Sequence, residues 1–285
     1  MSSNLKALLA IVGAAVVGGG IPVFSKIGIA QIPPFTFAFL RFLIAGLILF
    51  PLVKNQLPQK LKIWRQLILI SLPATINISL FVLGIRLTSA TAAQLIYVIV
   101  PIITAIVAFW LIKESLGVKK LLGIILGLAG VLVVILEPLG NVTLLGNLLV
   151  LAAASAYAFY PVFSKKMLVK HSPLLLTFIF ALTTAAVNLL LAGTELWRYP
   201  NWWQTIDLMA IMSVFYVGIF GGAIFYLLSQ IATKHSSATG GTMLLYLQPI
   251  AAYFWASNFL GEGLSLKLIL GGGLAVLGAY LVSLH

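Results

Sequence analysis

Ser89-Ala90-Thr91-Ala92-Ala93-Gln94-Leu95-Ile96-Tyr97-Val98-Ile99-Val100-Pro101 returns 148 residues later as Ser237-Ala238-Thr239-Gly240-Gly241-Thr242-Met243-Leu244-Leu245-Tyr246-Leu247-Gln248-Pro249. The register continues without a gap. Glu114 pairs with Glu262, Lys119 with Lys267, Gly123 with Gly271 and Gly130 with Gly278, while Gly127 becomes Ala275. Further upstream, Pro22-Val23-Phe24-Ser25-Lys26 matches Pro161-Val162-Phe163-Ser164-Lys165, and Pro34 matches Pro173, at an offset of 139. The difference enters between Pro173 and Ser237, and the loop 195–207 is its expected place. Internal repetition sets an architecture before any other signal is read. Here it predicts two halves, 1–138 and 139–285.

The chain is 62% hydrophobic and 8% charged, with mean hydropathy +1.16. Soluble domains carry roughly a quarter charged residues, so lipid is the expected solvent. Ten runs are almost free of charge: 7–25, 27–53 (broken by Arg41), 66–85, 87–112, 121–136, 138–164, 172–194, 208–233, 236–261 and 268–284. A spanning helix needs about 20 mostly apolar residues. Continuous rather than alternating apolarity favours helices over a barrel. The expected fold is therefore an all-α integral membrane protein of ten transmembrane helices. Five spans per half is an odd number, so the second half enters the membrane in the opposite sense, an inverted repeat.

With both ends placed in the cytoplasm, 12 of the 17 Lys and Arg residues fall inside and 4 outside, and Arg41 lies within a span. Basic inner loops set orientation. The reading is a multi-pass protein of the cytoplasmic membrane with both termini inside. The net charge of +12 belongs to those loops. It forms no single patch, so nucleic acid is not an expected partner. The chain has no cysteine, hence no disulfide framework or thiolate metal site. No metal or cofactor is expected. No His, Asp or Glu falls at mid-depth, so a buried-acid proton relay or a protease dyad lacks material.

Pro101 and Pro249 sit mid-span, where each removes a backbone bond and kinks its helix. Two related kinks at mid-depth suggest a cavity between the halves; a packing kink without ligand contact is the equal alternative. Asn77, Gln94, Tyr97, Tyr157, Tyr160, Tyr226, Thr242, Tyr246 and Gln248 lie at similar depth. Amides and phenols in lipid need partners, so they are expected to face inward and bind substrate. Interhelical hydrogen bonding is the competing reading. Arg41 is the one charge inside a span. It could meet a substrate anion, but clamping helix-end carbonyls weighs more. Glu114 and Glu262 fall at helix ends and are read as caps for the start of the helix that follows each, with gating as the second reading. The Gly123, Gly127, Gly130 face and its partner could pack within the bundle or form a homodimer.

These residues resemble a known family. Pro101, Glu114, Gly123 and Gly130, their repeat partners, and Leu40-Arg41-Phe42 match the pattern of EamA-type transporters of the drug/metabolite transporter superfamily. The resemblance covers essentially the whole chain. It implies a permease or exporter with a central cavity, not an enzyme. The expectation is a secondary transporter moving a small metabolite by alternating access. A neutral, aromatic, amide-rich lining suits an amino acid or similar zwitterionic or amphipathic solute. A nucleotide-sugar or phosphorylated-solute exchanger is the alternative. A membrane-embedded lipid-modifying enzyme is the alternative from another class.

Overall fold

The computed structural model describes residues 2–113, 117–136 and 143–283, and these are helical with no strand among them. Glu114 and Pro138 lie outside them. The helices are α1 Ser3–Gly18, α2 Ile21–Ile29, α3 Pro34–Val53, α4 Leu61–Ile85, α5 Ala90–Ile96, α6 Ile99–Ile112, α7 Val118–Ile135, α8 Leu144–Tyr157, α9 Phe159–Met167, α10 Pro173–Ala192, α11 Leu208–Tyr216, α12 Phe225–His235, α13 Leu244–Leu260 and α14 Leu266–Ser283. A π-helical segment, Val217–Ile224, joins α11 to α12. Among the described residues seven continuous stretches are long and apolar enough to cross a membrane: Ser3–Ile29, Pro34–Gln56, Leu61–Ile85, Ala90–Ile112, Leu144–Met167, Pro173–Ala192 and Leu208–His235. The remaining three uncharged runs form α7, α13 and α14, which are shorter.

Prolines decide where these rods break. Proline cannot donate to the carbonyl four residues back. α1 gives way to α2 just before Pro22, α5 to α6 just before Pro101, and α8 to α9 just before Pro161. At the second break Val100 N reaches Tyr97 O at 3.0 Å, a tighter turn that recovers the carbonyl Pro101 leaves. α13 carries Pro249 inside it and starts after a 3₁₀ turn, Gly240–Thr242.

The two halves of the chain are interleaved. The most extensive helix contacts are α14 on α7, α10 on α3, α8 on α4 and α12 on α1. Each joins a helix before residue 137 to one after residue 142. The glycine face expected to serve either the bundle or a dimer is spent inside the chain. A Cβ on Gly130 would lie 2.3 Å from Ala275 N, and one on Gly278 would lie 2.2 Å from Gly127 N. Backbone meets backbone there. Outward-facing leucines and isoleucines, such as Leu47, Leu190 and Ile250, suit a hydrocarbon surround.

Helix starts are held by carboxylates from distant sequence. α3 opens with Pro33-Pro34 and has no side-chain cap of its own. Glu195 takes up its free donors: Phe35 N and Thr36 N at 2.8 Å, and Thr36 Oγ1 at 2.8 Å. Glu262 holds α5 in the same way, through Ala90 N at 2.8 Å, Thr91 N at 2.9 Å and Thr91 Oγ1 at 2.8 Å. Four N–H groups at a helix start lack an internal partner, and a carboxylate also meets the favourable end of the helix dipole. Glu262 therefore does not cap the helix that follows it. Ser265 does that, through Leu268 N. At α11, hydrogen bonds from Ala210 N and Gln31 hold the Asp207 carboxyl below its usual range. Glu195→Ala is expected to lower the melting temperature by the equivalent of about 1–2 kcal/mol; Glu195→Gln, which keeps an acceptor, should recover part of it. Equal melting curves for wild type and Glu195→Ala would mean the α3 cap carries no stability.

Candidate functional site

The breaks in α1–α2, α5–α6 and α8–α9 face one another across a single central cavity. The residues four before the prolines are Gly18, Tyr97, Tyr157 and Leu245, and all four line it. So do Pro22, Arg41, Asn77, Gln94, Tyr226 and Gln248. Its atom-free space is about 480 Å³, narrow throughout: the centre of a water-sized sphere can move through only about 50 Å³ of it. That is room for a few waters. A larger solute needs the walls to part.

Hydrogen bonds tie the cavity's polar walls together, Gln94–Gln248 and Asn77–Ala153 across the halves and two others within them. Gln94 Nε2 donates to Gln248 Oε1 at 2.8 Å. Asn77 Nδ2 donates to Tyr97 Oη at 2.5 Å and to Ala153 O at 2.8 Å. Tyr157 Oη and Ser229 Oγ are 3.2 Å apart. Tyr226 is the hub of an aromatic cluster with Tyr157, Phe180 and Phe225 at centroid distances of 6.1, 4.5 and 5.1 Å. Gly18 makes room for the Gln248 amide: a Cβ there would overlap Gln248 Nε2 at 1.9 Å.

Six of the nine residues expected to bind substrate are thus brought together: Asn77, Gln94, Tyr97, Tyr157, Tyr226 and Gln248. Three lie elsewhere. Tyr160, beyond the α8–α9 break, packs its ring against Phe180 at 5.3 Å and is buried away from the cavity. Thr242 turns back to its own 3₁₀ turn, donating to Thr239 O at 2.7 Å. Tyr246 lines a separate groove between α1, α13 and α14. Two residues apart on α13, Tyr246 and Gln248 lie about half a turn from each other, and only Gln248 lines the central cavity.

Arg41 departs from its expected role. It is 1% exposed, and its Nε and Nη1 have no hydrogen-bond partner, so neither clamps a helix-end carbonyl. The guanidinium carbon instead lies 4.8 Å from the Phe42 ring centroid, in the cavity wall. Gly18 and Pro22 were also missed. Their signal was available, because Pro22 and Pro161 are a repeated pair and Pro161 follows Tyr157 by four.

Outside the cavity, two lysine contacts recur in repeat register. Lys26 Nζ donates to Thr88 O and lies 3.7 Å from Glu262 Oε1. Lys165, the repeat partner of Lys26, donates to Ser236 O, the repeat partner of Thr88. Among the described residues no group of three His, Cys, Asp or Glu side chains could hold a metal ion.

Known proteins resemble this chain along nearly its whole length. The family model described as "EamA-like transporter family" matches residues 5–136 and 144–284. An uncharacterized transporter of Archaeoglobus fulgidus is 27% identical over 99% of this chain and 98% of its own. One from Bacillus subtilis is 31% identical, over 91% and 85%. An S-adenosylmethionine uptake transporter of Rickettsia bellii is 28% identical, over 83% and 80%. A solved crystal structure superposes with a TM-score of 0.70 at 20% identity, covering 99% of this chain and 97% of that one, which speaks to the fold. With the family match spanning nearly its whole length, the chain belongs to the EamA-like transporter family.

Proposed function

We propose that the protein is a secondary transporter that carries an amino acid, or a similar zwitterionic or amphipathic metabolite, across the cytoplasmic membrane by alternating access. In this reading ten spans form two inverted halves, 1–138 and 139–285, with both termini in the cytoplasm. The observation that carries it is the cavity itself. The residues four before the paired prolines of both halves line it, and its polar walls are joined by Gln94–Gln248, one residue from each half. Transporters with inverted repeats bind at the repeat interface, near broken helices. The reciprocal contacts α4 with α8 and α12 with α1 support two-fold pairing. The recurrence of Lys26–Thr88 as Lys165–Ser236 supports it as well.

The lining favours a neutral or singly charged solute. Among the described residues Arg41 is its one cation and no carboxylate lines it, which disfavours a nucleotide sugar or a phosphorylated solute. The Rickettsia relatives' name fits the same class, since S-adenosylmethionine ends in an α-amino acid.

Purified protein in phosphatidylethanolamine–phosphatidylglycerol vesicles should take up members of a labelled amino-acid panel saturably. Counterflow from preloaded vesicles should accelerate it. Uptake no faster than in empty vesicles, for the amino acids and S-adenosylmethionine alike, would sink this reading.

A further inference from the structure

A buried charge without a partner is the least stable arrangement a membrane protein can carry. Arg41 is such a charge. Its side chain is nine-tenths or more buried, its Nε and Nη1 are unpartnered, and it lines the central cavity. The two described glutamates near helix starts, Glu195 and Glu262, already hold α3 and α5. The fold makes deliberate room for the guanidinium. The π-helical segment brings three glycines against α3. A Cβ on Gly221 would lie 3.2 Å from Arg41 Nη2, and those on Gly218 and Gly222 would lie 3.1 and 3.4 Å from Arg41 O. π-helical segments recur at functional sites. Gln248 Nε2, also in the lining, is a second buried donor with no partner. The cavity therefore holds donors in excess, and what it lacks is an anionic acceptor.

We propose that Arg41 is the receptor for the carboxylate of the transported solute, and that the carboxylate, not the ammonium, is the group the site requires. This rests on the transporter reading above and narrows it. A guanidinium offers a planar fork that matches a carboxylate through two parallel hydrogen bonds. A doubly charged phosphate monoester would call for a second cation, and among the described residues no other Lys or Arg lines the cavity. An ammonium would meet only tyrosine rings and amide oxygens. Cation–π contact is weaker than a buried ion pair.

The test uses matched solutes in the same vesicles. Phenylalanine and methionine are each compared with their amides and with their des-amino acids, and phenyl phosphate is added as the phosphate monoester. The expected result is uptake of the acids and the des-amino acids, with the amides slower by about 10- to 100-fold, the range for a charge-assisted hydrogen-bonded pair. Arg41→Gln should bring the acids down to the amides' level, and Arg41→Lys should keep part of the preference. Amides carried as fast as acids would overturn the inference and leave the transporter standing. Preference for phenyl phosphate, or an acid preference that survives Arg41→Gln, would also overturn it. Uptake of nothing in the panel removes the inference together with the amino-acid reading on which it rests. Should Arg41→Gln fail to give a monodisperse protein, the acid-to-amide ratio of the wild type decides alone.

Discussion

Gly130→Ala is expected to unseat the contact between α7 and α14, and with it much of the folded yield. One methyl group suffices because there is nothing soft for it to push. Its Cβ would lie 2.3 Å from Ala275 N, 2.5 Å from Gly271 O and 2.9 Å from Ala275 Cα. Side chains can rotate away from an added carbon, but helix backbone cannot, so the two helices must separate along their length. Overpacking typically costs about 1–3 kcal/mol, and a contact of backbone on backbone belongs at the top of that range. Gly278→Ala meets Gly127 N at 2.2 Å and Gly123 O at 2.5 Å and should behave alike. Gly46→Ala is the control. It lies inside α3 with nothing within 4 Å of its Cβ, and replacing a helical glycine by alanine gains up to about 1 kcal/mol of helix propensity. Melting temperatures and monodisperse yield of the three variants in detergent check this. If Gly130→Ala and Gly46→Ala melt together, the close approach of α7 and α14 is not what holds the halves.

That crossing was visible in the sequence as a spacing of small residues, but its partner was not. Gly123, Gly127 and Gly130 say that something approaches closely. They do not say whether it is α14 or a second copy. The cavity was more legible. Proline acts locally and obligatorily on the carbonyl four residues back, so the repeated pair Pro101 and Pro249 pointed to the depth of the cavity, while Pro22 and Pro161, visible only as a repeat, mark two further breaks. Depth along a helix then found Asn77, Gln94, Tyr97, Tyr157, Tyr226 and Gln248. Direction around the helix was harder, because a break or a 3₁₀ turn resets the angular register. That is why Tyr160 and Thr242 fell outside; Tyr246 fell outside because it lies about half a turn round α13 from Gln248. Arg41 and Glu262 were misread for a different reason. Each is defined by something far away in the chain: the room made by Gly221 for Arg41, and the free N–H groups of Ala90 and Thr91 for Glu262. Glu195, outside the repeat register, gave no sequence signal for its role at Phe35 and Thr36. An acceptor carries no local mark of which helix start it will serve.

Removing the Glu262 carboxylate should open the cavity toward the face on which α5 begins. Four contacts close that face: Ala90 N, Thr91 N and Thr91 Oγ1 on the carboxylate, and Lys26 at 3.7 Å. They bind the loop before α14 to the start of α5 and the end of α2, so the three elements cannot separate while they persist. Interactions made in one state alone shift the population when they are lost. Hydrogen bonds to a charged group are worth about 1.5–3 kcal/mol, so Glu262→Ala should favour the open form by roughly tenfold or more. The cysteine-free chain supplies the readout. Ala93 is 0% exposed and lines the cavity, so Ala93→Cys is a lone thiol that reacts only when the cavity opens. A membrane-impermeant maleimide added on that face should label it about tenfold faster in Glu262→Ala, with Glu262→Gln in between. Labelling unchanged in a protein that still melts normally would mean Glu262 is a static cap.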